Sequence, residues 1–369
     1  MTEDRAPLVE VRGLGQRFRA GPVRLFGRTP QVVAVDEVDL RIHEGEVVGL
    51  VGESGCGKST LGRTMVRLFE PTSGSITFAG EDITHVRGKR LRELRRDIQF
   101  IFQDPSSSLD PRRRIGSLVA EGLEIRGGIP AARRAEMVAE MLDRVGIDPG
   151  MARRYPHELS GGQRQRIGIA RALILRPRFV VTDEAVSALD LSVQSKILNL
   201  LRELKDELKL TYLFISHDLA VVHHVADRIA VMYLGGIVEL APAAELHRRP
   251  LHPYTMSLIS SIPEGRLAGT EPHRTVRVEG DPPSPVDPPS GCRFHTRCAF
   301  ARPERCATEK PVLRQLGTGH SVACHFAEEI ADGTVTARSA PVPAGPAVPN
   351  RTVPDGPHDK LNVAARQLP

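Results

Sequence analysis

Tryptophan is absent from these 369 residues, aromatic side chains make up only 4% of them, and cysteine occurs five times. No apolar run approaches the roughly 20 residues that a membrane-crossing helix needs. The opening MTEDRAPLVE is too acidic and too polar for a secretory leader, which predicts a cytosolic chain unless a partner holds it at a membrane. Five thiols in a reducing compartment argue against a disulfide framework. A strong excess of one charge is also missing: 50 basic against 45 acidic residues leave +5. The basic positions alternate with acids in LRELRRD and LRELKDELK, which reads as solvated helix faces rather than a nucleic-acid surface. What is present, 40% hydrophobic content over this length, suffices for one large domain with an appendage.

Along the first 240 positions short β-rich runs alternate with amphipathic stretches, the pattern of an α/β domain. VVAVDEVDLRI and EVVGLVG predict strands, the second running straight into a glycine-rich turn, and KSTLGRTMVRLF follows with helical spacing. RFVVTD and TYLFIS predict two more buried strands. Between about 104 and 172 strand signals disappear, which predicts an α-helical insertion. From about 266 the chain turns proline- and glycine-rich, and beyond 330 its apolar content is too low to pack, the composition of a disordered tail.

GESGCGKST, from Gly52 to Thr60, fits G-x-x-x-x-G-K-[ST] between a predicted strand and a predicted helix. Its glycines let successive N–H groups point inward at phosphate oxygens, and the helix N-terminus adds partial positive charge. Gly52, Glu53, Ser54, Gly55, Cys56, Gly57, Lys58, Ser59 and Thr60 are therefore the candidate ATP-binding loop. Lys58 supplies a full charge to the terminal phosphates, and Ser59 offers a hydroxyl to Mg²⁺. Cys56 fits there as a small side chain. Asp183 closes the apolar run of RFVVTDEA and is a candidate Mg²⁺ ligand; Glu184 follows and is placed to deprotonate an attacking water. Such an Asp-Glu pair is commonplace and becomes informative because the phosphate loop precedes it.

LSGGQRQRIGIARAL, from Leu159, holds a second small-residue turn opening a helix. One triphosphate is already enclosed by the first nest, so Ser160, Gly161, Gly162 and Gln163 are read as serving a nucleotide held by another subunit. With that motif the chain resembles the ATP-binding subunits of ABC transporters, whose signature is LSGGQ. The resemblance implies roles at matching positions. Gln103 in FIFQDP corresponds to the glutamine that contacts Mg²⁺ and responds to a membrane partner. Asp190, ending SALD, corresponds to the loop crossing the dimer interface, and His217 in FISHD to the histidine that contacts the γ-phosphate and the attacking water. Phe18 in LGQRF stands where an aromatic stacks on adenine. The family usually has proline after the Asp-Glu pair, where this chain has Ala185; no ligand is lost by that change.

FIFQDPSSSLDPRRRIGSLVAEGL, HPYTMSLISSIP and GDPPSPVDPPSGCRFHTRCAFARPERC narrow the resemblance to the oligopeptide/dipeptide (and nickel) importers. It implies an α/β fold: an ABC-type P-loop nucleotide-binding domain over 1–265 with its helical subdomain at about 104–172. A small irregular cysteine-containing C-terminal region at 266–330 and a tail at 331–369 would follow. It further implies ATP hydrolysis coupled to peptide import, at the cytoplasmic face of the cell membrane. The implied partners are a second ATPase chain forming a heterodimer, two permease subunits and an extracytoplasmic substrate-binding protein. Import of nickel or another small solute is the alternative, as is a soluble ABC ATPase outside transport. Translation-type members usually carry two ATPase domains and repair members a long coiled coil, neither of which is present. Exporters lack the proline-and-cysteine C-terminal region.

Four of the five cysteines, Cys292, Cys298, Cys306 and Cys324, are spaced C-x5-C-x7-C-x17-C after a proline-rich approach with little core of its own. Four thiolates on one metal centre would cross-link such a segment. Zinc sites usually show two short C-x2–4-C pairs, which are absent, so a [4Fe–4S] cluster is the favoured expectation and zinc the alternative. Reduced thiols packed in a small core are the third reading. His295, His320 and His325 are substitute ligands.

Overall fold

The computed structural model describes residues 6–21, 30–104, 108–187, 189–262, 278 and 280–335. In chain order the strands are β1 (Val9–Arg19), β2 (Gln31–Ile42), β3 (Val47–Val51), β4 (Ser73–Phe78), β5 (Glu81–Asp82) and β6 (Ile98–Ile101). Then come β7 (Phe179–Asp183), β8 (Thr211–Ile215), β9 (Arg228–Tyr233), β10 (Gly236–Pro242), β11 (Arg314–Gly317) and β12 (His320–Val322). They form a four-stranded antiparallel sheet, β2-β1-β4-β5, and an eight-stranded sheet, β11-β12-β10-β9-β3-β8-β7-β6.

The larger sheet is parallel from β9 to β6, and its central strands are apolar at nearly every position because both faces are covered. Alternate residues go to opposite cores. Tyr212 and Phe214 join the cluster of the helical region, whereas Leu213 and Ile215 join the cluster shared with the antiparallel sheet. Strand order does more for function than any single strand. β3, β8, β7 and β6 are neighbours, so the loops leaving their C-terminal ends share one edge, where open α/β sheets bind ligands.

Between β6 and β7 the described residues contain no strand, only helices Ile115–Arg126, Ala131–Arg144 and Gly161–Leu173 with two short 3-10 turns. Met141 and Leu142 from the second helix, and Val145 just after it, share a buried cluster with Leu118 and Leu123 of the first. The chain after 280 continues the main sheet. β12 pairs antiparallel with β10 (Glu239 opposite Val322, Leu240 opposite Ser321), and β11 pairs with β12. Ala331 ends a short helix, and Val335 is buried beside Phe300, Phe326 and Ile330. The expected tail therefore lies, apart from 331–335, outside the described residues, as do Ala188 of SALD and residues 263–277 and 279 ahead of the cysteines.

Candidate active site

The phosphate loop leaves β3 and enters helix Lys58–Met65. Two of its glycines are required by shape. Gly52 (φ 155°) and Gly57 (φ 107°) adopt positive φ, and a Cβ there would lie 2.2 Å from the Met232 carbonyl oxygen and 2.0 Å from that of Ala34. Lys58 is buried and donates from Nζ to the carbonyls of Gly52 (2.7 Å) and Glu53 (3.0 Å), so its charge sits inside the loop's own curl. Ser54 and Gly55 are exposed at the rim. Cys56 points inward, 3.9 Å from Lys58 Nζ, and burial pushes its thiol pKa up.

Ser59 Oγ donates to Asp183 Oδ1 at 2.6 Å, joining the loop to the end of β7 across the sheet. Arg63 Nη2 stands 3.4 Å from the other carboxylate oxygen. Burial raises the Asp183 pKa, against the opposing pull of Ser59 and Arg63. A hydroxyl and a carboxylate meeting beside a phosphate loop form the hard oxygen donor set that suits Mg²⁺. Arg63 was missed by motif reading, although it follows Ser59 by four helical positions and so shares its face.

Glu184, next in the chain, has φ 47°, a left-handed conformation that costs a non-glycine residue about 1–3 kcal/mol. The surroundings hold it: its N–H donates to Ile215 O at 3.0 Å, and its carbonyl accepts from Ser187 N and Oγ. Its carboxylate faces two candidates from neighbouring strand ends. Gln103 Nε2, after β6, donates to Oε2 at 2.9 Å, and His217 Nδ1, after β8, stands 3.6 Å from Oε1. Ala185 is buried behind the pair. Lys58, Ser59, Asp183, Glu184, Gln103 and His217 thus belong to one edge of the sheet.

The signature turn is separate. Ser160 caps helix Gly161–Leu173 by accepting from Gln163 N at 3.3 Å, while Gln163 Oε1 accepts from Ser160 N at 3.0 Å, a reciprocal capping box. Asp190 caps helix Leu191–Leu208 through Ser192 N and Val193 N, bonds that lower its pKa, and Leu191 beside it is 68% exposed. Phe18 lies within β1 rather than after it, half-buried, with its ring edge-on to Phe69 at 5.5 Å.

All four C-terminal cysteines line one cavity of about 20 Å³, walled by Phe294, Phe300, Phe326 and Ile330. They are free thiols. Burial pushes Cys292 to about 11, Cys324 to about 12 and Cys298 well upward, so these three are neutral in the metal-free protein. Among the described residues, no group of three or more His, Cys, Asp or Glu side chains is arranged to hold a metal ion. The space admits about one water-sized sphere, smaller than a four-iron cluster requires with the side chains as they stand. The donors are soft enough for such a centre; the room is short. Of the substitute ligands, His295 and His325 line the cavity, whereas His320 is turned away and bonded to buried Glu239 at 2.7 Å.

Comparison with known proteins agrees with this geometry. Residues 35–187 match the ABC transporter family, and residues 238–306 match the oligopeptide/dipeptide transporter C-terminal region. The oligopeptide transport ATP-binding protein AppF of Bacillus subtilis is 49% identical over 86% of this chain and 97% of its own length. A putative peptide import ATP-binding protein of Brucella ovis is 49% identical over 88% and 98%. Among solved structures, the cassette MJ0796 as a post-hydrolysis dimer bound to ADP and Pi superposes with a TM-score of 0.57 at 29% identity, covering 64% of this chain and 98% of that one. CbiO1 of Clostridium perfringens, part of the transporter complex cbiONQ, gives 0.57 at 28%, covering 66% and 91%.

Proposed function

This chain belongs to the ATP-binding subunits of oligopeptide- and dipeptide-type ABC transporters, and from that premise we propose how its residues act. It is an ATPase that powers peptide import through a membrane transporter. Lys58 and the N–H groups of residues 52–60 hold the triphosphate. Ser59 and Asp183, with Gln103, would hold Mg²⁺, which would supply charge neutralisation at the phosphate oxygens. Glu184 takes the proton of the attacking water, a contribution typically worth about 10²–10⁴-fold in rate. Gln103 and His217 keep its carboxylate aimed, one at each oxygen, and His217 also faces the γ-phosphate. Phe18 stacks on the adenine. The single observation that supports this best is the Gln103–Glu184–His217 cluster beside the Ser59–Asp183 bond, because it brings three separate stretches of chain to one carboxylate pair.

The ATPase works as a dimer beside membrane permeases. In our reading the partner is a second, similar ATPase chain rather than a copy, and an extracytoplasmic binding protein delivers the peptide. Ser160, Gly161, Gly162, Gln163 and Asp190 then close over nucleotide held by the partner. Exposed Leu191 supports an interface there. ATP shared by two chains closes the dimer, and hydrolysis removes the shared ligand and reopens it. A groove holding Phe100, Phe102 and Leu68, with the last two 39% and 40% exposed, lies next to Gln103 and suits a permease helix. That arrangement places the chain peripherally on the cytoplasmic face of the membrane. No helix among the described residues is long and apolar enough to cross it.

For the cysteines we propose a metal centre on the strength of the four-thiol donor set alone, a [4Fe–4S] cluster before zinc, the cluster requiring Phe294, Phe300 and Phe326 to move apart from their present positions. Anaerobic purification with metal analysis and a visible spectrum tests it. Stoichiometric zinc without colour removes the cluster, and metal-free protein removes both.

For the hydrolytic reading, Glu184→Gln in the complete complex is expected to keep ATP bound and hold the ATPase pair closed. Wild-type turnover in that variant would overturn the assignment of the base.

A further inference from the structure

The nine-residue phosphate loop carries two charged side chains, Lys58 and Glu53, so by itself it is electrically neutral. A carboxylate in a loop that must receive a triphosphate opposes binding by like-charge repulsion. Here it is answered from 244 positions away. Arg297 Nη1 lies 2.9 and 3.1 Å from the two Glu53 carboxylate oxygens, with the arginine side chain only 9% exposed. Arg297 Nε also donates to Gly280 O at 3.1 Å, and its guanidinium sits 5.9 Å from the Tyr233 ring centre, so the group is held from several sides.

The rest of Glu53 is fixed as well. Its N–H donates to the hydroxyl of fully buried Tyr254 at 2.8 Å, and its carbonyl accepts from Lys58. Tyr254, Tyr233 and Phe294 pack ring against ring at 4.7–5.4 Å. Phe294 and Arg297 belong to one tight turn between Cys292 and Cys298, closed by Arg297 N to Phe294 O and Cys298 N to His295 O. The cysteine-lined turn therefore reaches the phosphate loop by two routes, an ion pair and a cluster of tilted and edge-to-face aromatic rings.

We propose that Arg297 is a positioning residue for ATP: it neutralises Glu53, raises the loop from no net charge to one positive, and makes nucleotide affinity depend on how the cysteine-lined turn is held. Any displacement of this turn then alters ATP affinity without touching the nucleotide. The inference rests on residues 52–60 being the phosphate-binding loop.

Equilibrium binding of ATP with Mg²⁺ to the full-length chain tests it in four variants. Arg297→Met is expected to weaken binding about tenfold or more, since it leaves a half-buried carboxylate unpaired beside the phosphates. Arg297→Met with Glu53→Gln is expected to return to within about threefold of wild type, because the unpaired charge is gone. A merely structural arginine would leave single and double variants equally weak, and that result overturns the proposal, as does wild-type affinity in Arg297→Met. Should Arg297→Met fail to fold, Glu53→Gln alone decides: tighter binding from the freed guanidinium supports the proposal, and unchanged or weaker binding overturns it. Lys58→Ala separates the two readings, because normal ATP binding there would instead remove the phosphate-loop assignment.

Discussion

In the phosphate loop, residues 52–60, the chain makes its shape from neighbours in sequence: two obligatory glycines, a helix N-terminus, and a lysine curled onto carbonyls five and six positions back. The cysteine-lined turn, residues 292–298, closes on its own short-range backbone bonds, but its charged side chains anchor to remote segments. Arg293 bonds to Asp36, Arg297 to Glu53, and Lys310 just beyond it reaches Asp36 and Glu37. The first region holds a buried lysine cation within its own carbonyls. The second closes apolar walls and neutral thiols around a space of about 20 Å³. In the proposed reading the first is a reversible binding site, and the second is a buttress whose position the first one feels. Affinity is therefore concentrated in the loop, and stability in the turn.

Lys58→Ala should break the loop half most severely. Removing the only cation from the nest is expected to weaken ATP at least ~100-fold, at about 2.7 kcal/mol, with little change in the melting temperature of the nucleotide-free chain. Isothermal titration and a melting curve read both. A large fall in melting temperature would mean that the loop, too, is a buttress.

Next in size, Cys306→Ser should lower stability by about 1–3 kcal/mol, because it sets a hydroxyl into a buried apolar cluster. Denaturant unfolding measures this, and an unchanged midpoint would show that the packing around the cysteine-lined cavity contributes nothing to holding the domain.

Acid should loosen the join between the two regions. Burial pushes His252 down to about 3, while its unfolded value is near 6.5. Its neutral Nδ1 accepts from Tyr254 N at 3.1 Å, and Glu239 beside it accepts from His252 N and from His320. A depressed histidine contributes stability that is whole above the unfolded pKa and is lost as pH falls below it. The unfolded chain then binds the proton that the folded one refuses. The slope is at most about 1.4 kcal/mol per pH unit between pH 6.5 and 3. His252→Gln should flatten it; an unchanged pH profile in that variant would place the acid sensitivity elsewhere. The smallest effect belongs to Lys310→Ala. Its ammonium is half exposed, and losing its pairs with Asp36 and Glu37 should cost no more than about 1 kcal/mol by the same unfolding measurement.

The same contrast explains what could be read in advance. The loop, the strand before it, the carboxylate pair after β7 and the histidine after β8 were legible, because each is a contiguous motif closing an apolar run. Their meeting was not written in any one of them; it follows from the order β3-β8-β7-β6, which sets Gln103 and His217 on either side of Glu184. Arg297 carries no local mark at all, since its partner lies in another fold element and its immediate neighbours in sequence are Thr296 and Cys298. The thiols were legible as a cluster but not as a cavity, whose size depends on how Phe294, Phe300 and Phe326 close over it. Strands β11 and β12 are four and three residues long, too short for alternation to show, and exist because β10 offers them an edge.

The central claim is tested most directly by peptide uptake into vesicles bearing the permeases, both ATPase chains and a peptide-loaded binding protein. ATP should drive accumulation of labelled peptide, and substitution of Glu184 by Gln in this chain should stop it while ATP stays bound. Undiminished accumulation with the substituted chain, or ATP hydrolysis that ignores the loaded binding protein, would contradict the account.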